Sequence, residues 1–212
     1  MKKRDIIGKV NYYYIIDKRL DLQPYEQAKI AVENNVGMIQ YRAKDTSDKE
    51  MYKDCVRVRK VIPEDVLFIV NDRVDIAIAA DADGVHLGQD DLPFEAVREL
   101  VEDDTIIGVS THNLNQAKSY ERIADYIGIG PVHGTETKED TTEELGVKGV
   151  LNIASEVDVF TTAIGGIEEK DLDKLAKGVD MVCAISSVTQ KGDLSKRISL
   201  FETKFSRAKR GV

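Results

Sequence analysis

Eight short apolar runs recur along the chain: YYYII (12–16), GMIQY (37–41), LFIV (67–70), GVHLG (84–88), TIIGV (105–109), YIGIG (126–130), VFTTAI (159–164) and MVCAI (181–185). Each is short and rich in β-branched or aromatic residues, the pattern of a strand buried on both faces. Between them lie segments with apolar residues spaced by three and four, among them PYEQAKIAVENN, SDKEMYKDCVRVRKVI, LPFEAVREL, EEKDLDKLAKG and LSKRISLFETKFSR, which predict amphipathic helices. Ser47 and Glu50 have the spacing of a capping box at the start of the second of these. Strand and helix alternating eight times predict an α/β fold, a parallel eight-stranded (β/α)8 barrel of the TIM type, with an open doubly wound sheet as the alternative. The spacing of about 25 residues is then the β/α unit itself and not a solenoid repeat. No linker or low-complexity stretch divides the 212 residues, so residues 1–212 read as one barrel domain.

Composition narrows the function classes. With 42% hydrophobic residues the chain can bury a large core. No stretch reaches the roughly 20 apolar residues of a membrane span, and MKKRDIIGKVN lacks the apolar centre of a signal peptide, so a cytoplasmic protein is expected. A formal charge of −8 repels phosphate backbones over most of the surface and argues against nucleic acid as a partner. The basic end SRAKRGV reads as a solvated helix terminus. Two cysteines, Cys55 and Cys183, are too few for a disulfide framework and read as buried thiols.

Active sites of such barrels form where the strands end, and the residues there are polar or glycine: QYRAK, NDR, HLGQDD, STH, GPVHGTETK, GG and SS. In QYRAK the two-residue spacing sends Gln40, Arg42 and Lys44 to one side and Tyr41 and Ala43 to the other. Two cations in one mouth suit a diphosphate, and a surface ion-pair patch is the equally open alternative. Asp72 and Asp91 close neighbouring strands. Mg²⁺ typically takes one or two carboxylates and completes its shell with water and phosphate oxygens; helix capping ahead of Leu92-Pro93 is the competing reading of Asp91. Gly165 and Gly166 precede a helix where these barrels often bind phosphate. His86, His112 and His133 could be gathered as zinc ligands, but hydrogen-bonded structural histidines explain them as well. No nucleophile elbow, Walker loop or GxGxxG set is present. After the sixth strand the stretch GIGPVHGTETKEDTTEELG runs far beyond the usual loop of about 4–6 residues, which marks residues 131–145 as a functional or a disordered excursion.

The ordered series QYRAK, NDRVDIAIAADADGVHLGQDDL, IGVSTH, GPVHGTETK and AIGGI resembles the thiamine phosphate synthase family over nearly the whole chain. That family joins 4-amino-5-hydroxymethyl-2-methylpyrimidine diphosphate to 4-methyl-5-(2-phosphoethyl)thiazole, releasing pyrophosphate. The resemblance implies a transferase acting on small phosphorylated substrates, one Mg²⁺ per site, no nucleic-acid or membrane partner, and leaves a homo-oligomer open. Carried over by position, Gln40, Arg42, Lys44, Asn71, Ser110 and Lys138 resemble the pyrimidine diphosphate contacts, with Tyr41 and Ala43 counted among the substrate-binding residues of their segment. Asp72 and Asp91 resemble the Mg²⁺ ligands. Thr135, Glu136 and Thr137, with Gly166, Ile185 and Ser186, resemble the thiazole phosphate contacts, and the long excursion resembles the family's flexible lid. Lys138, Arg42, Lys44 and Ser110 are the implied catalytic set. The chain departs from the family at His133-Gly134, where an aromatic and a proline are common, and at Phe160-Thr161. A thiazole tautomerase, a non-catalytic barrel that binds thiamine precursors and a sugar-phosphate isomerase using His86 or His112 are the rival readings. The T-x-T-K series at Thr135 to Lys138 speaks against the first, and the paired carboxylates speak against the second.

Overall fold

The alternation within each strand decides which side chains face the barrel axis. The computed structural model describes residues 3–134 and 143–211. It contains eight strands, β1 (Tyr12–Ile15), β2 (Met38–Tyr41), β3 (Leu67–Asn71), β4 (Gly84–Leu87), β5 (Ile106–Thr111), β6 (Tyr126–Ile129), β7 (Phe160–Ile164) and β8 (Met181–Cys183). All pair in parallel in sequence order, and β1 closes on β8 through Tyr13 opposite Cys183, giving the expected single (β/α)8 barrel. The described helices are α1 (Lys3–Ile7), α2 (Pro24–Glu33), α3 (Asp48–Arg59), α4 (Val74–Ala79), α5 (Phe94–Leu100), α6 (Leu114–Tyr120), α7 (Gly146–Ala154), α8 (Leu172–Leu175), α9 (Ser186–Thr189) and α10 (Leu194–Arg210). None of the described helices is long and apolar enough to cross a membrane.

Two apolar layers follow from the strand period of two. Ile39, Phe68, Val85, Ile107, Ile127 and Val182 point outward into the layer shared with the helices. Tyr13, Met38, Leu67, Ile69, Ile106, Tyr126, Met181 and Cys183 fill the interior. Ile6, Ile7 and Val10 join that inner layer and close the N-terminal end of the barrel, held there by Arg4 Nε donating to Asp125 Oδ1 at 2.6 Å just ahead of β6. Three aspartates repeat one device at that end. Asp83, Asp125 and Asp180, each just ahead of an even-numbered strand, accept from the backbone N–H of Phe68, Ile107 and Thr161 on the strand before. Burying a peptide N–H demands such a partner.

Ser47 caps α3 by accepting from the Glu50 amide at 3.4 Å, while the Glu50 carboxylate accepts from Lys18 at 3.1 Å. The basic end of the chain is the last turn of α10, with Arg207, Lys209 and Arg210 near the negative pole of the helix. Gly211 follows in the left-handed conformation at φ 71°. Glu202 of α10 accepts from Asn11 Nδ2 at 2.7 Å and from the Tyr12 amide at 3.0 Å, tying the last helix to the first strand. Both cysteines are free and buried; burial pushes the Cys55 thiol up to about 12, which leaves it a packed, unreactive group.

Candidate functional site

The C-terminal mouth gathers most of the described residues singled out above. Gln40, Arg42, Asn71, His86, Ser110, Gly128, Thr162, Gly166, Ile185 and Ser186 line one cavity. Gln40 follows Met38 on the inward side of β2 and is 1% exposed. Arg42 stays on that side, half-buried, and shares a second hollow with exposed Lys44. Tyr41 falls on the opposite side, as the spacing requires, whereas Ala43 lines the hollow together with Arg42 and Lys44. The Tyr41 hydroxyl donates to Asp54 Oδ2 of α3 at 2.8 Å, and Ala43 packs against the outer apolar layer. Tyr41 supports the segment from behind.

The acidic pair lies beside the cations. Asp72 adopts φ 60°, a left-handed conformation uncommon for a residue with a side chain, and its amide donates to the His86 carbonyl at 2.8 Å. Burial, then the neighbouring Asp91 carboxyl, pushes the Asp72 carboxyl up to about 6, against the opposing pull of Arg42 and Lys44. Asp91 accepts from the Gly88 amide at 2.6 Å. It therefore folds its own loop and does not cap α5, whose N-cap is Pro93. Two carboxylates pressed together at the cost of a raised pKa form a donor set that a hard divalent cation would relieve. The residues present thus fit Mg²⁺. Among the described residues no group of three or more His, Cys, Asp or Glu side chains could hold a metal, which removes the three-histidine zinc reading. His112 Nδ1 lies 2.7 Å from the Gly130 carbonyl, and His133 Nε2 lies 3.1 Å from Asp171 Oδ2.

On the far side, Gly165 and Gly166 have φ 92° and 63°. A Cβ on Gly165 would stand 2.6 Å from Pro131 Cβ and one on Gly166 2.8 Å from His133 Cβ, so only glycine lets the loops after β6 and β7 close on each other. The His133 amide donates to the Gly165 carbonyl at 3.0 Å. Ile185 and Ser186, at the start of α9, complete this wall. Thr135, Glu136, Thr137 and Lys138, and with them much of the expected lid, lie outside the described residues.

The strand-end reading missed the polar floor beneath the mouth. Gln40 Nε2 donates to the Tyr13 hydroxyl, which lies 2.9 Å from the Tyr126 hydroxyl. Tyr126 lies 2.9 Å from His86 Nδ1, and His86 Nε2 lies 2.9 Å from Ser110 Oγ. The Tyr126 ring occupies the space of an absent side chain, since a Cβ on Gly108 would stand 2.0 Å from its Cζ. Thr162 Oγ1 is the one buried side-chain polar atom without a hydrogen-bond partner among the described residues.

A family model described as thiamine monophosphate synthase matches residues 12–188. The chain is 42% identical over 186 residues to the thiamine-phosphate synthase of Archaeoglobus fulgidus, covering 87% of this chain and 88% of the relative. It is 34% identical over 203 residues to that of Methanosarcina barkeri, covering 94% and 92%. Among solved structures, thiamine phosphate pyrophosphorylase from Pyrococcus furiosus superposes with a TM-score of 0.87 at 34% identity, over 96% of this chain and 98% of the other.

Proposed function

The chain belongs to the thiamine monophosphate synthase family, and from that premise we propose how its barrel mouth carries out the transfer that makes thiamine phosphate. The substrates are 4-amino-5-hydroxymethyl-2-methylpyrimidine diphosphate and 4-methyl-5-(2-phosphoethyl)thiazole. The observation that carries this reading is the placing of two cations beside paired carboxylates on one side of the cavity and of a glycine turn with Ser186 on the other. Arg42 and Lys44 stand beside the Asp72–Asp91 pair, and the Gly165–Gly166 turn and Ser186 lie on the far wall.

The diphosphate belongs on the β2 to β4 side. Arg42 offers a planar fork to its oxygens and Lys44 a point charge. Asp72 and Asp91 would hold Mg²⁺, which supplies charge neutralisation to the departing pyrophosphate. Gln40, Asn71 and Ser110 hold the pyrimidine ring over the floor. The thiazole phosphate lies against Gly166, Ile185 and Ser186, where backbone N–H groups suit an anion. Thr135, Thr137 and Lys138 are proposed, on the resemblance alone, to contact the phosphate groups.

The bond between the pyrimidine methylene carbon and the diphosphate oxygen breaks first, and its electron pair leaves on pyrophosphate. Arg42, Lys44 and Lys138 stabilise that negative charge, while the electron-rich aminopyrimidine carries the positive charge left on the methylene. The thiazole ring nitrogen then donates its lone pair to form the new C–N bond. No protein nucleophile is required; the residues contribute electrostatic stabilisation and alignment. The cytoplasm, where phosphorylated metabolites are held, is the proposed place of work. A coupled assay of pyrophosphate release tests the reading. Release that needs both substrates and stops with EDTA supports it, and release that ignores the thiazole phosphate overturns it.

A further inference from the structure

The floor of the cavity is one continuous chain of five side chains, Gln40, Tyr13, Tyr126, His86 and Ser110, in that order. A hydroxyl has one proton to give, and a neutral imidazole has one N–H and one acceptor nitrogen. Burial raises the ionisation of both phenols far above neutrality, so Tyr13 and Tyr126 keep their protons. The first link therefore sets the direction of all the others. Because the Gln40 amide donates to Tyr13, the Tyr13 proton goes to Tyr126. The Tyr126 proton then goes to His86 Nδ1, and His86 donates from Nε2–H to Ser110. Two groups remain at the ends of the chain, and both line the cavity. Gln40 is left with its carbonyl Oε1, an acceptor, and one N–H, and Ser110 with its own O–H, a donor.

The geometry points to Tyr13, Tyr126 and His86 as positioning residues that hold Gln40 as an acceptor and Ser110 as a donor toward the aminopyrimidine ring. An aminopyrimidine presents the complementary pair, an N–H donor on its amine and acceptor lone pairs on its ring nitrogens. This inference rests on the pyrimidine diphosphate reading of the site and adds to it. Tyr13, Tyr126 and His86 act through Gln40 and Ser110. The two ends are coupled, because turning the Gln40 amide over would require every proton along the chain to reverse with it. Gly108 takes part by leaving room for the Tyr126 ring, and the 29° stacking of His86 on Tyr126 fixes the imidazole plane.

The direct test is ¹⁵N NMR of histidine-labelled protein at pH 7.5, with the His86 signals assigned by their loss in His86→Gln. The neutral tautomer protonated at Nε2 is expected; a proton on Nδ1 or a charged ring would overturn the proposal. The kinetic test is Tyr126→Phe, and Tyr13→Phe as a second break in the same chain. Each should raise KM for the pyrimidine diphosphate about tenfold, the scale of losing one net hydrogen bond in a buried network. KM for the thiazole phosphate should stay within about twofold by the same reasoning. Equal changes in both constants, or none in either, would mean that the tyrosines serve packing alone. If the wild-type protein forms no thiamine phosphate, the substrate reading fails while the NMR result still judges the proton order.

Discussion

The carboxyl groups of Asp72 and Asp91 lie beside each other on the neighbouring loops after β3 and β4, one held by a left-handed backbone and the other by the Gly88 amide. Without a cation this contact opposes folding. The Asp72 carboxyl has its pKa raised from 3.8 to about 6, so the folded chain binds that proton more tightly than the unfolded chain does. Its contribution favours folding at low pH and is lost as pH rises from the unfolded to the folded value. Above about 6 the ionised pair costs stability. Asp72→Asn should therefore raise the Tm of the metal-free protein at pH 7 and cancel the Tm gain from added Mg²⁺. Turnover should fall about a hundredfold or more, the scale of losing one electrostatic stabiliser. Thermal melts with Mg²⁺ and with EDTA check the first two outcomes. Full turnover of the variant would remove Asp72 from the metal site.

Arg42 is expected to discriminate between the substrates. It lines the central cavity and also the hollow shared with Lys44. Arg42→Ala should weaken the pyrimidine diphosphate by about ten- to a hundredfold, a charge-assisted contact being worth ~1.5–3 kcal/mol. The thiazole phosphate should be nearly unaffected, which calorimetric titration of each ligand measures. Equal weakening of both would make Arg42 a structural cation.

Thr162 carries a buried hydroxyl with no partner among the described residues. Thr162→Val keeps the branched shape and removes the desolvated group, so the free protein should gain up to about 1 kcal/mol in urea unfolding. A loss of stability would show that the hydroxyl is satisfied in solution.

The alternation of eight strand runs with helical segments was legible because a barrel strand is buried on both faces and reads as a continuous apolar run. The rim was legible for a related reason: a polar residue that ends such a run is conspicuous. Gln40 and Arg42 line the central cavity as their spacing predicts, exposed Lys44 lies in the neighbouring hollow, and Tyr41 turns away to Asp54. The floor was not legible. Tyr13 and Tyr126 sit inside apolar runs, where a tyrosine reads as core, and only the closed barrel brings their hydroxyls together. His86 was visible as a histidine on a strand, but its role depends on Tyr126 and Ser110, 40 and 24 residues away. The stub helix α1 escaped because its two buried isoleucines are too few to show a period. Asp91 offered a helix-cap reading that its bond to Gly88 displaces.

The central claim is that this mouth joins the two heterocycles. Purified protein given both substrates with Mg²⁺, followed by chromatographic quantification of thiamine phosphate and of pyrophosphate, tests it most directly. The two products are expected in equal amounts, and neither product when one substrate is left out. Pyrophosphate formed without thiamine phosphate, or no product from folded protein with Mg²⁺ present, would contradict it.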